Sequence, residues 1–279
     1  MGVEIVIIKK CKERKIMKKA NYKNWMPIGV VITCAAIMII MGIISFIYGT
    51  VKAPLTGIKG IVAIILNMAT VLMCVITAWL GLLYSRFSYN GKRPLSKKII
   101  ESVAEYVKMK DGETGLDVGC GSGALTIAVA KRNPEAKMTG IDRWGKEYAS
   151  FSKKLCEDNA EAEGVNNVNF TNGDAVKLDF PDESFDFVTS NYVYHNISGV
   201  NKQELLLETL RVLKKGGGFA IHDIMSYSRY GDMEGFIHKL KEMGYKEARL
   251  IHTDDGTLIG KTEAAILGLK GSAVLIGVK

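Results

Sequence analysis

Cysteine is scarce, and it is not arranged to bind anything. Cys11, Cys34, Cys74, Cys120 and Cys156 are the only five in 279 residues. The number is odd and no pair has the spacing of a metal site. That argues against a disulfide framework and against zinc. Cys34 and Cys74 lie in apolar runs, where cysteine acts as a small hydrophobe, so a reducing compartment fits best. Internal repeats and low-complexity linkers are also lacking. At 48% hydrophobic and 24% charged residues the composition is that of a folded protein, which excludes disorder or a collagen-like repeat as a description of the whole. The mean hydropathy of +0.11 is slightly high for a soluble chain.

Acidic residues are absent from 27–84, where Lys52 and Lys59 are the only charges. Residues 1–26 carry eight Lys or Arg and two Glu, while 85–279 balance at 27 of each sign. The whole net charge of +8 therefore flanks or interrupts apolar sequence. A basic chain of this kind suggests a membrane rather than nucleic acid. Residues 27–48 and 61–84 are two runs without Asp, Glu, Lys or Arg, each long enough for the roughly 20 residues that cross a bilayer core. The first is too long for the apolar stretch of a signal peptide. Between them, Gly49–Gly60 holds Pro54 and Gly57, which predicts a turn and so a transmembrane hairpin over 27–84.

Lys9, Lys10, Lys12, Arg14, Lys15, Lys18, Lys19 and Lys23 precede the first run. Arg86, Lys92, Arg93, Lys97 and Lys98 follow the second. Positive flanks stay cytoplasmic. The expectation is a multi-pass protein of the cell membrane, with a basic arm over 1–26 and a C-terminal domain over 85–279 both on the cytoplasmic side. Trp25, Tyr48, Trp79 and Tyr84 sit where interfacial aromatics sit. Asn67 within the second run is expected to pack against the first.

Beyond residue 94 the pattern changes to short apolar runs alternating with amphipathic stretches. Strands are predicted at 114–119, 137–142, 167–171, 184–190, 218–223, 248–252 and 273–278. Helices are predicted at 94–109, 124–131, 146–163, 202–214 and 233–243. Such alternation argues an α/β domain with a parallel sheet covered on both faces. The hinge is placed at 89–94.

The run Gly115-Leu-Asp-Val-Gly-Cys-Gly-Ser-Gly-Ala-Leu-Thr126 joins a strand to a helix through a glycine-rich turn. Glycine there lets the backbone approach a ligand and take positive φ. In an open α/β sheet, ligands bind beyond the carboxyl ends of the strands. Gly119, Gly121 and Ala124 alone satisfy only the general dinucleotide fingerprint. The fuller stretch 116–123 closely resembles the first motif of Rossmann-like, class I S-adenosylmethionine-dependent methyltransferases. Four further pieces match in order: Gly140-Ile-Asp142, Asn172-Gly-Asp-Ala175, Leu178–Val188, and Leu210-Arg-Val-Leu-Lys-Lys-Gly-Gly-Gly-Phe219. Lys215 stands where that family usually has proline.

The resemblance covers roughly 94–255 and implies a doubly wound, mostly parallel seven-stranded sheet with S-adenosylmethionine as cofactor. It implies that Asp117 helps hold the methionine end and that Gly119, Cys120, Gly121 and Gly123 pass beneath the cofactor. It also implies that Asp142 accepts the ribose hydroxyls, that Asp174 and Ala175 meet the adenine, and that Asn191 touches the methionine portion. The family places acceptor-side residues in Ser190-Asn-Tyr-Val-Tyr-His-Asn-Ile197. His195 is the candidate base, since imidazole ordinarily titrates near 6.5, with Tyr192 and Tyr194 as acceptor contacts. A structural role for His195, as a cap or interface filler, stands beside that reading.

The function expected is transfer of a methyl group to a small or membrane-partitioned acceptor, the bilayer being the other partner and nucleic acid none. The alternatives are a nicotinamide-dependent oxidoreductase on a similar fold and a non-catalytic, membrane-bound S-adenosylmethionine sensor. The helix at 94–109 and the loop 226–231 are the candidate lids. The acceptor and the oligomeric state are left open.

Overall fold

The computed structural model describes residues 19–50, 57–92, 94–145 and 150–279. Lys9 to Lys18, Cys11, the proline turn at 54 and Arg93 fall outside these residues. The chain divides into two units, Lys23–Lys98 and a larger one containing Ile99–Lys279.

The smaller unit is built on two helices, α1 (Ile28–Thr50) and α2 (Gly57–Arg86). Both are long and apolar enough to cross a membrane. Gly57 to Gly60, expected in the turn, already belong to α2. Ser45 Oγ donates to Asn67 Oδ1 across the pair at 2.6 Å, while Asn67 Nδ2 donates to the Ala63 carbonyl. Asn67 thus links the helices, a polar bond between apolar helices. The flanks meet beyond the ends of the pair. Asn24 bridges Ser88, its side chain donates to the Tyr84 carbonyl at 2.6 Å, and Trp25 lies on Phe87. Outward-facing side chains are large and apolar, among them Phe46, Ile58 and Met68.

The helix α3 (Leu95–Glu105) spans the boundary between the units and leads into alternating strands and helices of the larger one: β1 (Thr114–Val118), α4 (Ala124–Arg132), β2 (Lys137–Asp142), α5 (Lys153–Glu163), β3 (Val168–Asn172), β4 (Phe185–Asn191), α6 (Lys202–Arg211) and β5 (Leu213–Ile224). Then follow α7 (Tyr227–Tyr230), α8 (Met233–Glu242), β6 (Glu247–His252), α9 (Lys261–Ile266) and β7 (Ser272–Val278). The seven strands lie in the order β3-β2-β1-β4-β5-β7-β6. The first five run parallel and β7 is antiparallel to both its neighbours. Strand order reverses between β1 and β4, so their carboxyl ends open the crevice where such sheets bind ligands. The central strands are apolar on both faces, with Leu116, Val118, Val188 and Ile221 almost wholly buried, as parallel strands between helical layers must be.

Three boundaries differ from the sequence expectation for physical reasons. α5 starts at Lys153, not 146, because Ser152 caps it by accepting the Leu155 N–H; residues 146–149 are outside the described set. α6 ends at Arg211, not 214. Its last carbonyls are taken by Lys279 Nζ, which reaches Leu210, Arg211 and Leu213. The chain then goes straight into β5, five residues earlier than 218. Gly217 and Gly218 serve close strand approach, since a Cβ there would stand 2.7 Å from the Asp186 carbonyl and 2.4 Å from the Phe187 ring. The third difference is the expected lid loop, which contains α7, one helical turn closed by the Gly231 N–H on the Tyr227 carbonyl.

Candidate active site

The glycine turn between β1 and α4 is fixed from several sides. Gly119, Gly121 and Gly123 all have positive φ, at 74°, 57° and 81°, a region costly to other residues. The Gly119 and Cys120 N–H groups both donate to the Ile141 carbonyl, at 2.8 and 2.9 Å. Gly121 is held at both its polar groups. Its N–H donates to Asp142 Oδ2 at 2.9 Å, and its carbonyl accepts from Trp144 Nε1 at 2.9 Å and Cys156 Sγ at 3.2 Å. A Cβ on Gly119 would come within 2.3 Å of the Val193 side chain, so the segment after β4 lies directly against the turn. α4 begins at Gly123 with no side-chain cap.

Asp142, at the end of β2, accepts one backbone N–H on each oxygen, from Gly121 and, at 2.8 Å, from Trp144. A carboxylate has about four lone-pair sites. Among the described residues, one therefore remains open on each oxygen. The next loop is tied to this one by Gly173 N–H on the Asp142 carbonyl and Asn172 Nδ2 on the Arg143 carbonyl. Asp174 stands there, half-buried, with Oδ1 accepting the Val176 N–H. Ala175 beside it is buried. Asp142, Asp174, Ala175 and the three glycines thus all lie at the carboxyl-end edge of β1, β2 and β3. Arg211 clamps the 178–182 segment that precedes β4, bonding the carbonyls of Leu178 and Phe180 and the Asp182 carboxylate. That accounts for the matched run there.

Asp117, expected to help hold the methionine end, is engaged within the protein. Its side chain is buried, with Oδ2 accepting from Thr126 at 2.6 Å and Oδ1 from Thr189 at 3.0 Å. Burial pushes its carboxyl up to about 7 against the pull of these two hydroxyls. It ties α4 and β4 together beneath the turn. The Cys120 thiol is also buried, and burial, then its neighbour Cys156, push it up; it is the backbone of Cys120 that joins the turn.

On the other side of the crevice the expected residues separate. Tyr194 is fully buried and its hydroxyl pairs with Thr209 at 2.5 Å. It is a core residue and does not line an acceptor space. Tyr192 adopts φ 55°, a strained value for a bulky residue of the kind that clusters at functional sites. Its ring stands edge-on to His195 and His222, and its hydroxyl pairs with Ser272 at 2.7 Å. Burial raises that hydroxyl's pKa, so Tyr192 acts as a neutral wall. The Asn191 side-chain oxygen bonds His222 Nδ1 at 2.9 Å, and His222 Nε2 meets Thr253 at 2.9 Å. Burial holds His222 down at about 4. It is therefore neutral, with its proton on Nδ1.

His195 sits in a short 3-10 turn after β4. Its Nδ1 lies 2.5 Å from Asp223 Oδ1 and its backbone N–H donates to Asp223 Oδ2 at 3.1 Å. Asp223 is completely buried and also accepts from the Ile224 N–H at 2.7 Å and the Tyr230 hydroxyl at 2.8 Å. Burial pushes this carboxyl up, but the bond and charge of His195, with Ile224 and Tyr230, outweigh it and hold it below the ordinary carboxylate value. Sequence reasoning gave no role to Asp223, Tyr230, Thr126, Thr189 or Trp144. An acid at the carboxyl end of β5 was the one available signal.

Residues 109–263 match the model of the methyltransferase domain family, more than half of the chain. The chain belongs to this family. Among similar proteins, the demethylmenaquinone methyltransferase of Geobacillus stearothermophilus is 35% identical over 118 residues, 42% of this chain and 47% of that protein. That of Listeria welshimeri is 32% identical over 141 residues, 50% of this chain and 57% of that protein. The chain thus spans about half the length of the curated relatives it matches. A solved S-adenosylmethionine-dependent methyltransferase of Aquifex aeolicus shares 20% identity at a TM-score of 0.47, over 66% of this chain and 92% of that one.

Proposed function

We propose that this protein is a membrane-anchored methyltransferase that takes a methyl group from S-adenosylmethionine and delivers it to a lipid-like acceptor. One observation carries the cofactor assignment. At the β1–β4 reversal, Asp142 keeps, among the described residues, a free lone pair on each oxygen while it accepts the N–H of the left-handed Gly121. In this reading Asp142 takes the ribose hydroxyls, Asp174 and Ala175 meet the adenine, and Asn191 and the open start of α4 face the methionine portion. Bound there, the cofactor supplies a methyl carbon already activated by its sulfonium. The protein then has to align an acceptor with that carbon, exclude water and manage any proton. In this reading Tyr192 and His195 do that work, a role supported by Val193 between them lying against the turn.

The anchor is supported by length and exposure. α1 and α2 hold almost no buried residues in their apolar windows, and so large an apolar surface calls for lipid rather than water. The meeting of Asn24 with Ser88 supports both flanks lying on one side, and their lysines and arginines favour the cytoplasmic side. A lipid-like acceptor follows from the anchor and from relatives named for a quinone. The full chain in lipid nanodiscs, given methyl-tritiated S-adenosylmethionine, should label a component of a membrane lipid extract. Labelling of soluble metabolites alone would contradict the lipid-like acceptor.

A further inference from the structure

Asp223 is a buried carboxylate at the carboxyl end of β5. Its four acceptor sites are filled by four donors: the His195 backbone N–H, the His195 ring, the Ile224 N–H and the Tyr230 hydroxyl. A carboxylate can only accept, so the ring nitrogen facing it must carry the proton. In the neutral ring that puts the hydrogen on Nδ1 and leaves a lone pair on Nε2. Nε2 has no hydrogen-bond partner among the described residues, and 16% of the side chain stays exposed. A histidine that merely filled the sheet–helix interface would satisfy both nitrogens, as His222 does with Asn191 and Thr253. The two histidines, flanking the same Tyr192 ring, thus make an internal contrast: one is closed at both ends and one is open.

We infer that Asp223, seated by Tyr230 and Ile224, positions His195 as a proton acceptor, and that the methyl acceptor is one whose nucleophilic atom still bears a proton. The class is a phenolic or hydroquinone O–H, or an acidic ring C–H beside one. A ready nucleophile such as a thiolate or a free amine would need no such pair. This inference rests on the methyltransferase reading. In the step, the acceptor oxygen or carbon bonds the methyl carbon and the carbon–sulfur bond breaks with its electrons passing to sulfur. The acceptor's proton goes to His195 Nε2. The imidazolium, its charge balanced by Asp223, afterwards yields that proton to water. Asp223 touches neither acceptor nor cofactor and is a positioning residue, in the sense in which a buried aspartate orients a catalytic histidine.

The test uses the full chain in nanodiscs with tritiated S-adenosylmethionine and membrane lipid extract. The labelled product should be a C-methyl or O-methyl compound. His195→Ala should lower kcat by about 10²–10⁴-fold while the Kd for S-adenosylmethionine stays within about twofold, and added imidazole should restore part of the rate. Asp223→Asn can donate its amide to Nδ1 and so moves the proton to Nε2. It should lower kcat comparably, without rescue by imidazole. Tyr230→Phe, which leaves the carboxylate in place, should cost less. An N-methyl or S-methyl product, or variants of full kcat, would overturn the inference and leave the methyltransferase reading standing. Failure of the wild-type chain to bind S-adenosylmethionine would remove both.

Discussion

At the scale of single residues, burial decides more than residue type. Tyr192 and Tyr194 are two positions apart and looked alike in sequence, yet one walls the crevice and the other lies in the core with Thr209. Asp117 and Asp142 lie near the carboxyl ends of β1 and β2, but Asp117 is buried whereas Asp142 is only half-buried. Sequence shows that a carboxylate is present, not which donors the fold brings to it. Two buried groups make stability depend on pH in opposite senses. His222 titrates near 4 against an ordinary 6.5. Below pH 6.5 the unfolded chain takes up the proton first, so stability present above that pH is lost on the way down to about 4, by about 3 kcal/mol. Asp117 titrates near 7 against 3.8. Here the unfolded chain gives up its proton first, so stability present below pH 3.8 is lost as pH rises to about 7, by about 4 kcal/mol. Thermal unfolding from pH 4 to 8 should show the acid loss shrink in His222→Gln and the loss on raising pH shrink in Asp117→Asn. Profiles that superimpose on the wild type would refute this.

At the scale of elements, the glycine turn and the strands before and after it were legible because hydrophobic runs and glycine spacing are local. The start of α5 was not. The 146–163 stretch is amphipathic throughout, and only Ser152, a capping residue, marks the true start. Ser152→Ala should lower stability by about 1 kcal/mol, read as a fall in the midpoint of thermal unfolding. An unchanged midpoint would show that the cap is replaced by another donor–acceptor pair. The end of α6 was hidden for a different reason. Lys279, far away in sequence, supplies the donors that a glycine cap would otherwise make unnecessary. The His195–Asp223 pair is invisible for the same cause, since 28 residues separate its members and the register of β4 against β5 brings them together.

At the scale of the whole molecule, charge and length carried the reading. Two runs without acidic residues pointed to α1 and α2, and five ordered motifs pointed to a mostly parallel, seven-stranded sheet, without its strand order. What sequence could not supply was the division of labour within the crevice, because that depends on side chains from β2, β3, β4 and β5 meeting at one edge. The flank contacts Asn24–Ser88 and Trp25–Phe87 add that the hairpin's ends come together. Epitope tags at the two termini should both resist protease in intact spheroplasts and both be cut after lysis; cleavage of either in intact cells would contradict the assigned orientation.

The central claim is that the crevice at the β1–β4 reversal is an S-adenosylmethionine site. Calorimetric titration of the full chain in nanodiscs with S-adenosylmethionine and, separately, NAD tests it most directly, with Asp142→Ala and Asp174→Ala alongside. The account predicts binding of S-adenosylmethionine alone, weakened in both variants. About tenfold or more is expected for Asp142→Ala, whose loss also releases the Gly121 N–H. Preference for NAD, or S-adenosylmethionine binding unchanged in both variants, would contradict it.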